Sequence, residues 1–152
     1  MELTMMDQQE YMSIHEMNKL LIQDIEGEML RNISVHVVSP EINIVFLHFD
    51  EFDVEIFGAF GSEILKIEIG IRRDTFPTVE LPKLNVFRNQ RINQIRIIGE
   101  AWNGYGFEVS FDGIFDRTLI IQSIYSGDKP EGLEDGLRIG IGHYVYFLED
   151  KL

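Results

Sequence analysis

Leu65-Lys66-Ile67-Glu68-Ile69-Gly70-Ile71-Arg72 alternates apolar residues with polar or small ones, position by position. A period of two puts Leu65, Ile67, Ile69 and Ile71 on one side of an extended chain, so the stretch reads as a β-strand with one wet face. Tyr105-Gly106-Phe107-Glu108-Val109-Ser110-Phe111-Asp112 repeats the pattern. Further strands are expected at 33–38, 42–49, 54–60, 92–98, 118–125, 137–141 and 144–148, where β-branched and aromatic residues concentrate. Between them lie turn signals: Ser39-Pro40-Glu41, Gly61-Ser62, Asn103-Gly104, Asp112-Gly113 and the loop 126–136. Spacings this short leave no room for crossover helices, so the sheet should be mostly antiparallel.

The N-terminal segment has a different period. Asp7 and Glu10 form an Asp-x-x-Glu start signal, and Ile14, Met17, Leu21 and Ile25 then recur every three or four residues. His15, Glu16, Lys19, Gln23 and Glu26 fall on the other side, and Gly27 is a natural end. The methionines Met5, Met6, Met12, Met17 and Met29 suit either an adaptable docking surface or packing on the chain's own sheet, and the sheet's need for a cover favours packing. The fold class is therefore α+β: one N-terminal helix on a curved, mostly antiparallel sheet of about seven to nine strands, single-layered or folded into two. Residues 74–89, with Pro77 and Pro82, read as a crossover between two halves. The halves carry a faint likeness, Phe49-Asp50-Glu51-Phe52-Asp53 against Phe111-Asp112-Gly113-Ile114-Phe115-Asp116, on which no repeat is built.

A chain of 152 residues with 45% hydrophobic residues can bury one ordinary core, so 1–152 is taken as a single domain. It has no cysteine, which removes disulfides and thiolate chemistry. The start lacks a basic region followed by an apolar run, and no stretch is long and apolar enough to span a membrane as a helix, which makes a cytoplasmic location the default expectation.

Charge is distributed unevenly. Residues 1–80 hold 16 acids and 5 bases, a net −11, and the remainder holds 10 acids and 8 bases, a net −2. Such a surface repels nucleic acid and anionic lipid and attracts basic proteins. Glu41, Asp50, Glu51, Asp53 and Glu55 cluster without an intervening Lys or Arg and interleave with Phe46, Phe49, Phe52 and Phe57. Carboxylates with ring faces between them are suited to Arg and Lys side chains of a partner, so Glu41, Asp50, Glu51, Phe52, Asp53 and Glu55 are the expected partner-binding residues. An ordinary solvated strand face over a Phe-rich core explains the same residues. Between Leu81 and Gly99 the chain instead carries Lys83, Arg88, Arg91 and Arg96 and no acid, a patch expected to meet the protein's own acidic face within the fold or across a homodimer.

Catalytic and ligand signatures are weak. Asp50 with Asp53, or Glu108 with Asp112, could serve as paired carboxylates, but any acidic β-protein offers such pairs. His48 and Asp50, with His36 on a neighbouring strand, are the minimum for a shared metal site and match no ligand pattern; neither does the acidic loop Asp128-Lys129-Pro130-Glu131-Gly132 and its continuation to Gly136. Phosphate-binding glycine loops and a Gly-x-Ser-x-Gly elbow are absent. No catalytic residue, metal or cofactor is therefore assigned. Trp102 and Tyr105, in a group with Phe107, Tyr144 and Tyr146, could rim an apolar ligand pocket under a helix, although core packing accounts for them as well.

In size, acidity, missing catalytic signature and aromatic-plus-acid surface, the chain is similar to bacterial immunity and antitoxin proteins, which plug the basic active sites of toxic nucleases. The similarity is one of composition and transfers no residues. It implies a non-enzymatic protein that masks a basic partner such as a toxin domain. The alternatives are a small-ligand-binding β-domain or hydrolase with an aromatic pocket, and a homo-oligomeric structural subunit.

Overall fold

The computed structural model describes residues 5–38, 41–59, 64–70, 77–99, 104–124, 136–143 and 147–148. Helix α1 spans Met5–Ile25 and is followed by β1 (Met29–Leu30), β2 (Asn32–Val38), β3 (Glu41–His48), β4 (Asp53–Ala59) and β5 (Ile64–Gly70). After β6 (Val79–Glu80) and a 3-10 helix (Pro82–Phe87) come β7 (Gln90–Ile98), β8 (Gly106–Phe111), β9 (Ile114–Ser123), β10 (Leu137–His143) and β11 (Phe147–Leu148). Every strand pair is antiparallel. The count of eleven among the described residues exceeds the expected seven to nine because β1 and β6 are two-residue strands that sequence periodicity cannot register, whereas β11 falls within the strand expected at 144–148.

The sheet consists of two four-stranded meanders. In the first, β2 to β5 pair in chain order; in the second, β7 to β10 do the same. The crossover residues 77–89 supply β6, which flanks β2, and the 3-10 helix, which starts at Pro82 and buries Leu84 and Phe87. The meanders are joined where Leu137 of β10 pairs with Ile42 of β3, while β4 takes the rest of β3 from Ile44 onward.

Alternation sends Ile33, Val35, Val45, Leu47, Val54, Ile56 and Ile67 from the first meander into one hydrophobic cluster with Phe107, Val109, Leu119 and Ile121 from the second. Helix α1 lies against this core with Tyr11, His15, Asn18, Ile22 and Ile25 buried. The buried face is thus turned from the expected one: His15 is inside, Ile14 and Leu21 are half-buried, and Met12, Met17 and Leu20 face solvent.

Polar pairing explains the turn. Asn18 Nδ2 donates to Leu65 O at 2.8 Å and to the Tyr105 hydroxyl at 3.1 Å, while Asn18 Oδ1 accepts from Ile67 N at 3.1 Å. The Tyr105 hydroxyl also shares a hydrogen bond with His15 Nδ1, 2.9 Å away, so each member of the chain has a partner. Burying Tyr11, Ile22 and Ile25 supplies most of the docking energy, at roughly 1.5–3 kcal/mol per large apolar side chain. Hydrogen bonds add ~1 kcal/mol each and fix which face points inward.

The helix also reaches the last strand of the first meander and the first strand of the second. On β5 it completes the outward backbone groups of Leu65 and Ile67 through Asn18; on β7, Glu26 Oε2 accepts from Ile95 N at 2.8 Å. Gly27, at φ +91°, turns the chain out of the helix, and its N–H bonds Ile92 O at 2.8 Å. None of the helices among the described residues is long and apolar enough to cross a membrane.

Candidate functional site

The acidic segment expected to form one patch divides among three environments. Phe49-Asp50-Glu51-Phe52 closes the β3–β4 hairpin, with Phe49 N bonded to Phe52 O at 3.0 Å. The two phenylalanine rings stack at 4.8 Å over the core, leaving Asp50 and Glu51 on the outside of the turn. Arg31 grips Asp50 in a two-pronged ion pair, Nε to Oδ1 at 2.9 Å and Nη2 to Oδ2 at 3.0 Å, and its third nitrogen reaches Asn89 Oδ1 at 3.2 Å. That hydrogen bonding holds the Asp50 carboxyl below its ordinary range and raises the Arg31 guanidinium. Glu51 is exposed and makes no ion pair among the described residues.

Asp53 does not share this surface. It begins β4, lies only 6% exposed and accepts from His48 Nδ1 at 3.0 Å. Glu55 is half-buried further along the same strand face. The backbone of Glu41 opens β3, and its side chain lies outside the described residues, as do Trp102, Tyr144, Tyr146 and residues 126–135 of the acidic loop. Tyr105 is fully buried in the core, its hydroxyl engaged by His15 and Asn18 rather than facing a pocket.

His48 connects Asp53 to a third group: Ser34 Oγ lies 2.7 Å from His48 Nε2. Strand register explains the meeting, because His48 faces Asp53 across the β3–β4 hairpin and Ser34 sits diagonally from it on β2. The order, serine hydroxyl to imidazole to carboxylate, is that of a serine nucleophile, its base and the base's orienting group. The surroundings differ from a hydrolase site. Ser34 is 3% exposed and is paired with Phe46 of β3 on one edge and Glu80 of β6 on the other, so it sits within the sheet rather than at a turn whose free N–H groups could hold a developing oxyanion. Strand spacing alone pairs His48 with Asp50; the four-residue hairpin loop 49–52 is the signal that 48 and 53 face each other.

His36 shares this sheet face but is turned to Pro77 O, 2.9 Å away. Among the described residues no group of three His, Asp or Glu side chains is placed to hold a metal ion. A groove of about 200 Å³ runs between α1 and β5, lined by Ser13, Ile14, Met17, Asn18, Lys66 and Ile67.

Surface charge follows the sequence asymmetry. Through residue 80 the exposed described acids are Glu10, Glu16, Asp24, Glu28, Asp50, Glu51 and Glu80, against Lys19 and Arg31. Beyond residue 80, Lys83, Arg88, Arg91 and Arg96 are exposed against Asp112 and Asp116. Arg96 pairs with Glu108 across the β7–β8 hairpin, and Arg91 donates to Gly27 O at 2.7 Å, so these two bases are answered locally rather than by the acids of the first meander. No family model, curated protein or solved structure matches the chain.

Proposed function

We propose that the protein is a non-enzymatic binding protein of the immunity or antitoxin kind, which masks a basic protein partner. The observation that carries this reading is the seven-to-two excess, among the described residues through 80, of exposed acids over exposed bases, with Glu51 at a turn tip making no ion pair among them. A surface of that sign accelerates encounter with a basic partner and repels nucleic acid. The described acids best presented for contact are Asp50 and Glu51; Asp53 belongs to the scaffold that holds their hairpin.

The test is coexpression with the product of the neighbouring open reading frame, since an inhibitor of a toxin needs its toxin encoded beside it. A one-to-one complex is expected, with an association rate that falls as salt rises and drops further on charge reversal at Asp50 and Glu51, while dissociation changes little. A neighbour that is not basic and forms no complex would count against the proposal.

A second reading, a serine hydrolase, is favoured by the Ser34–His48–Asp53 sequence of hydrogen bonds. It is distinguished by a serine-directed fluorophosphonate. The burial of Ser34 argues for no labelling; covalent labelling lost in Ser34→Ala would establish the hydrolase.

A further inference from the structure

We infer that the partner-binding surface is the end of the molecule where both central hairpins turn, and that Phe115 is its anchor, seated in an apolar pocket of a basic protein. The inference rests on the binding reading above and adds to it a second hairpin and a hot-spot residue.

A chain of contacts brings the two turns to one end. Arg31 joins Asp50 of the β3–β4 turn to Asn89, whose N–H bonds Leu30 O at 2.7 Å. Met29 of β1 pairs with Arg91 of β7, and Arg91 O accepts from Asp112 N, at the tip of the β8–β9 hairpin, at 3.0 Å. Charge at this end is unbalanced. Arg31 is committed to Asp50 and Asn89, and Arg91 to Gly27 O. Among the described residues, Glu28, Glu51 and Asp112 are exposed there without an ion pair, against Arg88 and Arg91, whose guanidinium meets only the Gly27 carbonyl.

Phe115 is presented by a break in pairing. Phe111 faces Ile114 across the two-residue turn Asp112-Gly113, but Val109 next faces Leu119, so residues 115–118 of β9 stand opposite the single residue Ser110. Three extra residues in one strand lift it out of the ladder, as bulges do where a side chain is re-aimed. Phe115 is left 89% exposed, whereas Phe46, Phe49, Phe87, Phe107 and Phe111 are buried and Phe52 and Phe57 half-buried. An aromatic ring left in water two residues beyond the Asp112-Gly113 turn matches the anchor of an interface, where aromatic residues fill pockets and charged neighbours set the partner's sign.

The experiment uses a displayed library of one small helical domain whose exposed face is randomised equally among Arg, Lys, Asp, Glu, Leu, Ala and Tyr, selected on the full chain. Selected clones are expected to be rich in Arg and Lys, to associate more slowly as salt rises, and to dissociate at least 30-fold faster from Phe115→Ala. Phe115→Ser serves as a second variant, with thermal melts of both confirming an intact fold. Basic, salt-sensitive clones indifferent to both variants would overturn Phe115 as anchor while leaving the binding reading in place. Selection of only acidic or uncharged clones would overturn both.

Discussion

The two meanders share a plan but close their central hairpins in different ways. In the first, four residues connect β3 to β4, pairing from His48–Asp53 onward is unbroken, and Phe49 and Phe52 fold back on each other over the core. In the second, two residues connect β8 to β9, Phe111 stacks inward on Phe87 at 4.9 Å, and the following phenylalanine is expelled on a bulge. The local sequences resemble each other, Phe-Asp-Glu-Phe-Asp against Phe-Asp-Gly-Ile-Phe-Asp, yet loop length decides the fate of the second ring. Four residues let both rings reach the same side. The two-residue turn uses Ile114 for the inward position and leaves Phe115 on the outside.

The sharpest test of that comparison removes one ring from each turn. Phe111→Ala should destabilise the fold by about 3–5 kcal/mol, because a fully packed ring leaves a cavity against Phe87. Phe52→Ala, at a half-buried position, should lose roughly half as much; urea denaturation curves compare them, and equal losses would show that the two turns are packed alike. Next comes the link between the helix and the second meander. Tyr105→Phe removes the hydroxyl shared by His15 and Asn18 and should cost ~1–3 kcal/mol by leaving buried polar atoms without it. A melt unchanged by that substitution would mean that the network does not fix the helix face.

Phe115→Ala should then shift stability by no more than ~0.5 kcal/mol, since its ring makes little contact with the fold. The smallest effect concerns pH. The Arg31 contact holds the Asp50 carboxyl below its unfolded value, so the pair contributes stability above the ordinary carboxylate range and loses it as pH falls through the lowered value. Asp50→Asn should accordingly reduce the acid-side dependence of the melting temperature slightly and leave the second hairpin unaffected, as thermal melts from neutral pH into acid would record.

Strands were legible in this sequence because alternating Ile, Val and Phe with charged residues leaves one solution for a half-wet sheet. The helix was legible in extent, from its Asp-x-x-Glu start to Gly27, but not in orientation. Periodicity places His15 on the outer side and does not single out Asn18, whereas the fold buries both because Tyr105 and the outward groups of β5 supply partners that no local pattern announces. The candidate site shows the same limit. A carboxylate next to a turn can face either way, and only the register of β3 against β4 sends Asp53 to His48 while Asp50 goes to Arg31. Phe115 escaped notice because Asp112-Gly113 suggests a tight hairpin with regular pairing, and a bulge beginning two residues later has no composition of its own.

The Asn18 contact has a consequence for how the chain is made. During synthesis, α1 leaves the ribosome well before Ile64-Leu65-Lys66-Ile67-Glu68-Ile69, a six-residue segment whose apolar stripe and unpaired outward groups would suit stacking between nascent copies. By the time that segment emerges, the carboxamide that will occupy Leu65 O and Ile67 N is already present on the same molecule. Order of translation thus gives intramolecular docking a head start over polymerisation.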